Sequence, residues 1–193
     1  MGSGREIEIL ERIANLLRAE TRLAAQRSGI QPVQLEILEY LDRCNRYSDT
    51  PAAVAEYLSL TKGTVSQSIQ RLEEKGFIIR APDPNDGRIS RLRLSRKGRS
   101  VVNSKSRQAL ATAAERADFE GRTLAEALER LLGALQRANG LRSFGVCQTC
   151  RFFEHGEDGR SRCGLTAEPL SADDRLLVCR EHEEKPSLSG ARQ

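Results

Sequence analysis

The chain of 193 residues contains no run of about 18 apolar residues, so a membrane-spanning helix is excluded. Its opening residues, Met1-Gly-Ser-Gly-Arg-Glu6, lack the apolar centre of a signal peptide, and a cytoplasmic protein is expected. There is no P-loop, no dinucleotide fingerprint and no recognisable nucleophile–base set, so the sequence does not read as an enzyme. No internal repeat is evident. Cysteine is scarce in the first 140 residues, where Cys44 stands alone. The other four, Cys147, Cys150, Cys163 and Cys179, fall together in a C-x2-C-x12-C-x15-C pattern. In a reducing compartment such a cluster points to metal ligands rather than disulfides. Isolated Cys44 reads as a small packing residue.

Charge is unevenly spread. Between Leu60 and Arg107 there are 12 Lys or Arg against 4 Asp or Glu, whereas from Leu141 onward the count is 8 against 9. A local basic excess of this kind suits a nucleic-acid-binding face.

Helical periodicity begins at about residue 5, with Leu10, Ile13, Leu17 and Ala24 on one stripe, and Ser28-Gly29 ends it. Gln31-Pro32 opens a second helix, with Leu35, Leu38 and Leu41 facing inward. Thr50 and Pro51 mark a third start, from which Val54 and Leu58 point inward. Thr61 is the next N-cap candidate; Val65, Ile69 and Leu72 follow at helical spacing, and Gly76 closes the helix. A strand-like run, Phe77-Ile-Ile-Arg80, then leads through the turn residues Pro82–Gly87 to the alternating Arg91-Leu-Arg-Leu-Ser95, which predicts a β-hairpin. Helices are expected again over about 96–117 and from a capping box at Thr123–Glu126 to about 138. The latter carries a stripe of Leu124, Leu128, Leu131, Leu132 and Leu135, and Asn139-Gly140 stops it. The tail from 186 to 193 is small and polar and is expected to be disordered.

The spacing leaves Lys62, Thr64, Ser66, Gln67, Gln70 and Arg71 on exposed positions of the fourth helix. Short polar side chains on such a helix can reach base edges in a major groove. The helix start near Thr61 and Thr64 offers backbone N–H groups to a phosphate. Arg88, at the hairpin tip, can enter a minor groove, and Asp86 can orient its guanidinium.

The stretch from Gln31 to Gly98 resembles the MarR family of winged-helix regulators. The resemblance rests on Thr61–Ile78, Arg80, Asp83-Pro84, Asp86-Gly-Arg88 and Leu94-Ser-Arg-Lys-Gly98, with Ser95 where the family often has Thr. It implies a mainly α fold with a small β-hairpin wing (α+β), a winged helix-turn-helix. It further implies a homodimer joined by the terminal helices on a pseudo-palindromic operator of double-stranded DNA. Residues 1–140 then form the DNA-binding and dimerisation domain, and residues 141–185 a small cysteine-rich metal-binding module.

Thiolates are strong ligands for both zinc and iron–sulfur clusters. Cys147 and Cys150 can grip a centre from one turn, while Cys163 and Cys179 each come from a loop of their own. Phe144, Phe152, Phe153, Leu165, Leu170, Leu176, Leu177 and Val178 can shield it. His155 and Cys179-x-x-His182 offer replacement ligands, but four thiolates already complete a set, and both histidines read as solvated. The layout resembles the cluster-binding segment of high-potential iron–sulfur proteins, which implies a [4Fe-4S] cluster; the last cysteine departs from it in lacking a nearby aromatic. A four-cysteine zinc site is the alternative. The expected function is a regulator, in the sense of a repressor, whose operator binding responds to an iron–sulfur cluster, with the signal reaching DNA through the 124–138 helix. The alternative is a regulator released by a small-molecule effector, with zinc as a passive staple.

Overall fold

A computed structural model describes residues 3–102, 124–156, 159–183 and 185. The helices are α1 (Ser3–Arg27), α2 (Pro32–Arg43), α3 (Pro51–Tyr57), α4 (Lys62–Glu74), α5 (Arg96–Val102) and α6 (Leu124–Ala138). Strands β1 (Ile78–Pro82) and β2 (Ser90–Leu94) pair as the hairpin between α4 and α5. The expected extension of α5 to 117, the capping residue Thr123 and the tail from 186 lie outside the described residues.

The helix boundaries follow local chemistry. Thr50 caps α3 by accepting from the Ala53 amide at 3.3 Å, with Pro51 behind it. Thr61 caps α4 in the same way, accepting from the Thr64 amide at 3.2 Å. Gly29, Gly76 and Gly140 follow α1, α4 and α6 with positive φ, the left-handed ending that favours glycine. Ser95 both donates to the Gly76 carbonyl (2.7 Å) and accepts from the Gly98 amide (3.0 Å). A serine hydroxyl suffices for both bonds, so the departure from threonine costs neither.

The described residues divide into two compact units whose segments interleave along the chain. One gathers residues 3–42, 66–80 and 92–102. Its buried apolar side chains include Leu35, Ile37, Leu38, Tyr40, Ile69, Leu72, Phe77, Ile78, Leu92 and Leu94. Each large aliphatic of this set contributes about 1.5–3 kcal/mol on leaving water. Gly98 is fixed by contact: a Cβ there would stand 2.2 Å from the Phe77 carbonyl oxygen.

The second unit gathers residues 43–65, 81–91 and those from 124 onward. It buries Ala53, Val54, Ala55 and Val65 of α3 and α4, and a separate set around Cys147, Cys150, Leu170 and Cys179. Its small strands are β3 (Gly145–Val146), β4 (Phe153–His155), β5 (Ser161–Cys163), β6 (Pro169–Leu170) and β7 (Val178–Cys179). β4, β5 and β6 form an antiparallel sheet with Phe153 opposite Cys163, and β3 pairs with β7 with Gly145 opposite Cys179. Along α6, Leu128, Leu131 and Leu132 are exposed, as are Ile7, Ile13, Leu16 and Leu23 on α1.

Candidate nucleic-acid interface and metal centre

On α4, the periodicity that buries Val65, Ile69 and Leu72 leaves Thr61, Lys62, Thr64, Ser66, Gln67, Gln70 and Arg71 exposed, as the spacing predicts. Three of these have partners: Thr61 and Thr64 share a hydroxyl contact at 2.9 Å, and the Gln70 amide donates to Glu74 at 3.0 Å. The helix start carries no acidic residue in its first turn, so nothing there competes with an incoming phosphate.

At the wing, Arg88 is 91% exposed and gripped by Asp86 through two parallel bonds of 3.0 Å, from Nε and Nη2. Asp86 also accepts from the Arg88 amide. The Arg88 bonds hold the Asp86 carboxyl below its ordinary range. Such an exposed pair adds little to folding, so its effect is to aim the guanidinium.

The wing base is tied differently. Asp83 accepts from the amides of Asn85 and Asp86 and from Arg91 Nε at 2.6 Å. Those bonds, the Asn85 amide first, depress its pKa. Arg91 reaches on to Asp49 at 2.7 Å and to the Arg46 carbonyl at 2.9 Å. Burial disfavours its charge, yet Asp49 and Asp83 outweigh burial and raise its pKa.

The four clustered cysteines line one small cavity of about 80 Å³. Cys147 begins a tight 3-10 turn (Cys147–Thr149), and the Cys150 amide closes it on the Cys147 carbonyl at 3.0 Å. Cys163 and Cys179 end strands β5 and β7, rather than sitting in isolated loops as the spacing suggested. Strand pairs only two or three residues long leave too little alternation to read from sequence. Cys147 and Cys179 share a hydrogen bond. It holds Cys179 below the usual thiol range and, with burial, pushes Cys147 up. N–H donors face the sulfurs: Asn45 Nδ2 approaches Cys147 at 3.8 Å, and the Glu183 amide approaches Cys150 at 3.5 Å.

Phe152, Phe153, Leu165 and Leu170 line the cavity as expected, joined by Tyr47, Thr166 and Glu181. Phe144 stacks edge-on against Tyr57 instead, and Leu176 is exposed. Neither histidine lines the cavity. His155 is exposed and meets Ser161 at 3.1 Å. His182 is buried, not solvated: its Nε2 meets Thr149 Oγ1 at 3.0 Å, and its ring occupies the space where a side chain at Gly145 would begin. Cys44 is half-buried and forms a backbone bridge with Val178. Among the described residues, no three His, Cys, Asp or Glu side chains are grouped as a single metal ion would require.

Sequence reasoning missed the loop after α2, which carries much of this geometry. Asn45 and Ser48 are polar yet buried. Ser48 Oγ accepts from the Arg180 amide at 2.8 Å, and the Arg180 guanidinium grips Glu56 of α3 through bonds of 2.7 and 2.6 Å. Polar residues in a loop carry no periodicity that would reveal such bonds.

The elements α2 to α5 and the β1–β2 hairpin, with an exposed α4 face and an aimed wing arginine, make a winged helix-turn-helix. Residues 28–89 match the model of the MarR family, a family of transcription regulators and not of enzymes. Within residues 28–89 the chain is thus similar to MarR-type DNA-binding transcriptional regulators. Its fold is similar to that of the transcription regulator MarR from Oenococcus oeni PSU-1 (18% identity, TM-score 0.55, covering 67% of this chain and 97% of that one). It is also similar to the transcriptional regulator SlyA (20%, 0.52, 68% and 94%). A third relative is MepR of S. aureus, solved as a DNA complex (20%, 0.51, 69% and 95%). Comparison with curated proteins returns no significant match. The family match stops short of the cysteine segment, and nothing in the comparisons speaks for a likeness to high-potential iron–sulfur proteins. Among the described residues no helix is long and apolar enough to cross a membrane.

Proposed function

We propose that the chain is a cytoplasmic repressor that binds a pseudo-palindromic operator as a homodimer and whose affinity for DNA is set by a metal centre held by Cys147, Cys150, Cys163 and Cys179. Residues 1–140 supply the DNA-binding and dimerisation part, and 141–185 the metal module. Thr61, Lys62, Thr64, Ser66, Gln67, Gln70 and Arg71 contact the major groove and its phosphates, and Arg88, steadied by Asp86, contacts the minor groove. MepR, similar in fold, is solved on DNA. The exposed leucines and isoleucines of α1 and α6 support self-association, since apolar surface of this extent favours cover.

The observation that carries the metal reading is the convergence of all four thiols on one cavity walled by Phe and Leu side chains. Its occupant is an iron–sulfur cluster, [4Fe-4S], rather than zinc. With a Zn–S bond of about 2.3 Å, a zinc tetrathiolate would draw its sulfurs to about 3.8 Å of each other. Among the described residues no three ligands are grouped for a single ion, and the four thiols line a cavity of about 80 Å³. Apolar walls suit a cluster whose potential depends on exclusion of water.

A second reading has an observation of its own. A cleft of about 780 Å³, lined among others by Glu56, Tyr57, Leu132, Arg142 and Phe144, is large enough for a small-molecule effector. In that reading the cysteines hold structural zinc.

The test is purification without oxygen, with iron, acid-labile sulfide and zinc assayed on the same sample, followed by DNA binding before and after metal removal. Iron and sulfide together with a change in affinity support the cluster sensor. About one zinc per chain and unchanged affinity would replace it with the effector reading.

A further inference from the structure

The loop of residues 44–49 is bonded on two sides. Towards the cysteine module, the Asn45 amide donates to the Val178 carbonyl at 2.9 Å and its side-chain Nδ2 approaches Cys147 Sγ at 3.8 Å. Asn45 Oδ1 accepts from Ser48 Oγ at 2.8 Å, and Ser48 Oγ accepts from the amide of Arg180, the residue after Cys179. Arg46 extends to Glu168 and to the Pro169 carbonyl. Towards the wing, the Arg46 carbonyl and the Asp49 carboxylate both accept from Arg91, which also holds Asp83. Asp83 accepts from the Asp86 amide, and Asp86 holds Arg88. A chain of bonds thus runs from a cysteine sulfur to the wing arginine.

We propose that the 44–49 loop, with Arg91 as its joint, is the relay through which the state of the cysteine site sets the wing, which makes Arg91 a positioning residue for Arg88. The inference rests on the reading of the cysteine site as a regulatory metal centre. A metal-bound sulfur carries thiolate charge and accepts the Asn45 N–H as a charge-assisted bond; an unligated thiol accepts it weakly. Asn45 is 4% exposed and Ser48 is fully buried, so neither can exchange a lost partner for water. The loop therefore shifts as a body. Arg91, 19% exposed between Asp49 and Asp83, passes that shift to the wing base. This route does not need α6.

The test uses the full chain and a DNA duplex selected on the wild type from a randomised library. Affinity is measured on protein purified without oxygen, before and after metal removal by chelation. Hydrogen exchange is followed at the amides of Asp86, Arg88 and Ile89. The wild type should show a ratio of roughly tenfold between the two states. Arg91→Met, which touches no cysteine, should keep the metal and bring that ratio to about one, and Asp49→Asn should reduce it in part. Asn45→Ala should speed exchange in the wing, although it touches no wing residue. A wild-type ratio retained in both Arg91→Met and Asp49→Asn, or unchanged wing exchange in Asn45→Ala, overturns the relay. If the wild type binds DNA equally in both states, the regulatory reading of the metal site fails on its own account. The Asn45→Ala exchange result then still decides whether loop and wing are mechanically joined.

Discussion

Helix α4 and the cysteine module treat their polar groups in opposite ways. On α4 the residues available for DNA stand in solvent, and the helix needs only Val65, Ile69 and Leu72 to hold it. In the module three of the four thiols are buried, and their shell comes from segments as far apart as Tyr47 and Glu181. A surface proposed to meet DNA keeps its polar groups in solvent. A centre proposed to hold a metal encloses its thiols. Changes on the first should alter binding with little effect on folding, and changes in the second should do the reverse.

The largest effect should follow from Cys179→Ser. Metal content should fall to background, and amide protection should be lost across Cys150, Phe153 and Cys163, because a module this small has little core to replace the centre. Elemental analysis with hydrogen exchange reads both quantities; full metal retention would remove Cys179 from the ligand set. Next is Arg88→Ala, which should weaken operator binding by about ten- to a hundredfold at matched salt with the melting temperature unchanged. Equal affinity would show that the wing does not touch DNA. Asp86→Ala should cost less in the same assay, since the arginine remains but is no longer aimed. Thr50→Ala removes the α3 cap and should destabilise the fold by about 1 kcal/mol in denaturant titration, with metal content intact.

The smallest effect is a pH dependence. The Asp83 carboxyl is depressed in the folded chain by the Asn85 amide and then by Arg91, so its contribution is present above the ordinary carboxylate pKa. It is lost as pH falls through the depressed value. Carbon-detected NMR should place the Asp83 midpoint below that of a free aspartate, and Arg91→Met should move it upward. A midpoint at the ordinary value would contradict the bond to Arg91.

The winged helix was legible because its signals are local or periodic: Thr50 and Thr61 as caps, Gly76 as a stop, alternating Leu92 and Leu94, and an exposed face left by the buried stripe. The cysteines were legible as a set by spacing alone. The strands that carry Cys163 and Cys179 were not, and neither was the burial of His182, Asn45 and Ser48, because no period of two or 3.6 marks such short or looped segments. The sequence by itself determined the elements and which polar and thiol side chains stand together on them, since backbone conformation and hydrophobic pattern act over a few neighbouring residues. Only the tertiary structure decided that the loop after α2 joins the cysteine module to the wing. A buried polar group must find its partner in space, and the distance along the chain between Asn45 and Cys147 does not enter that choice.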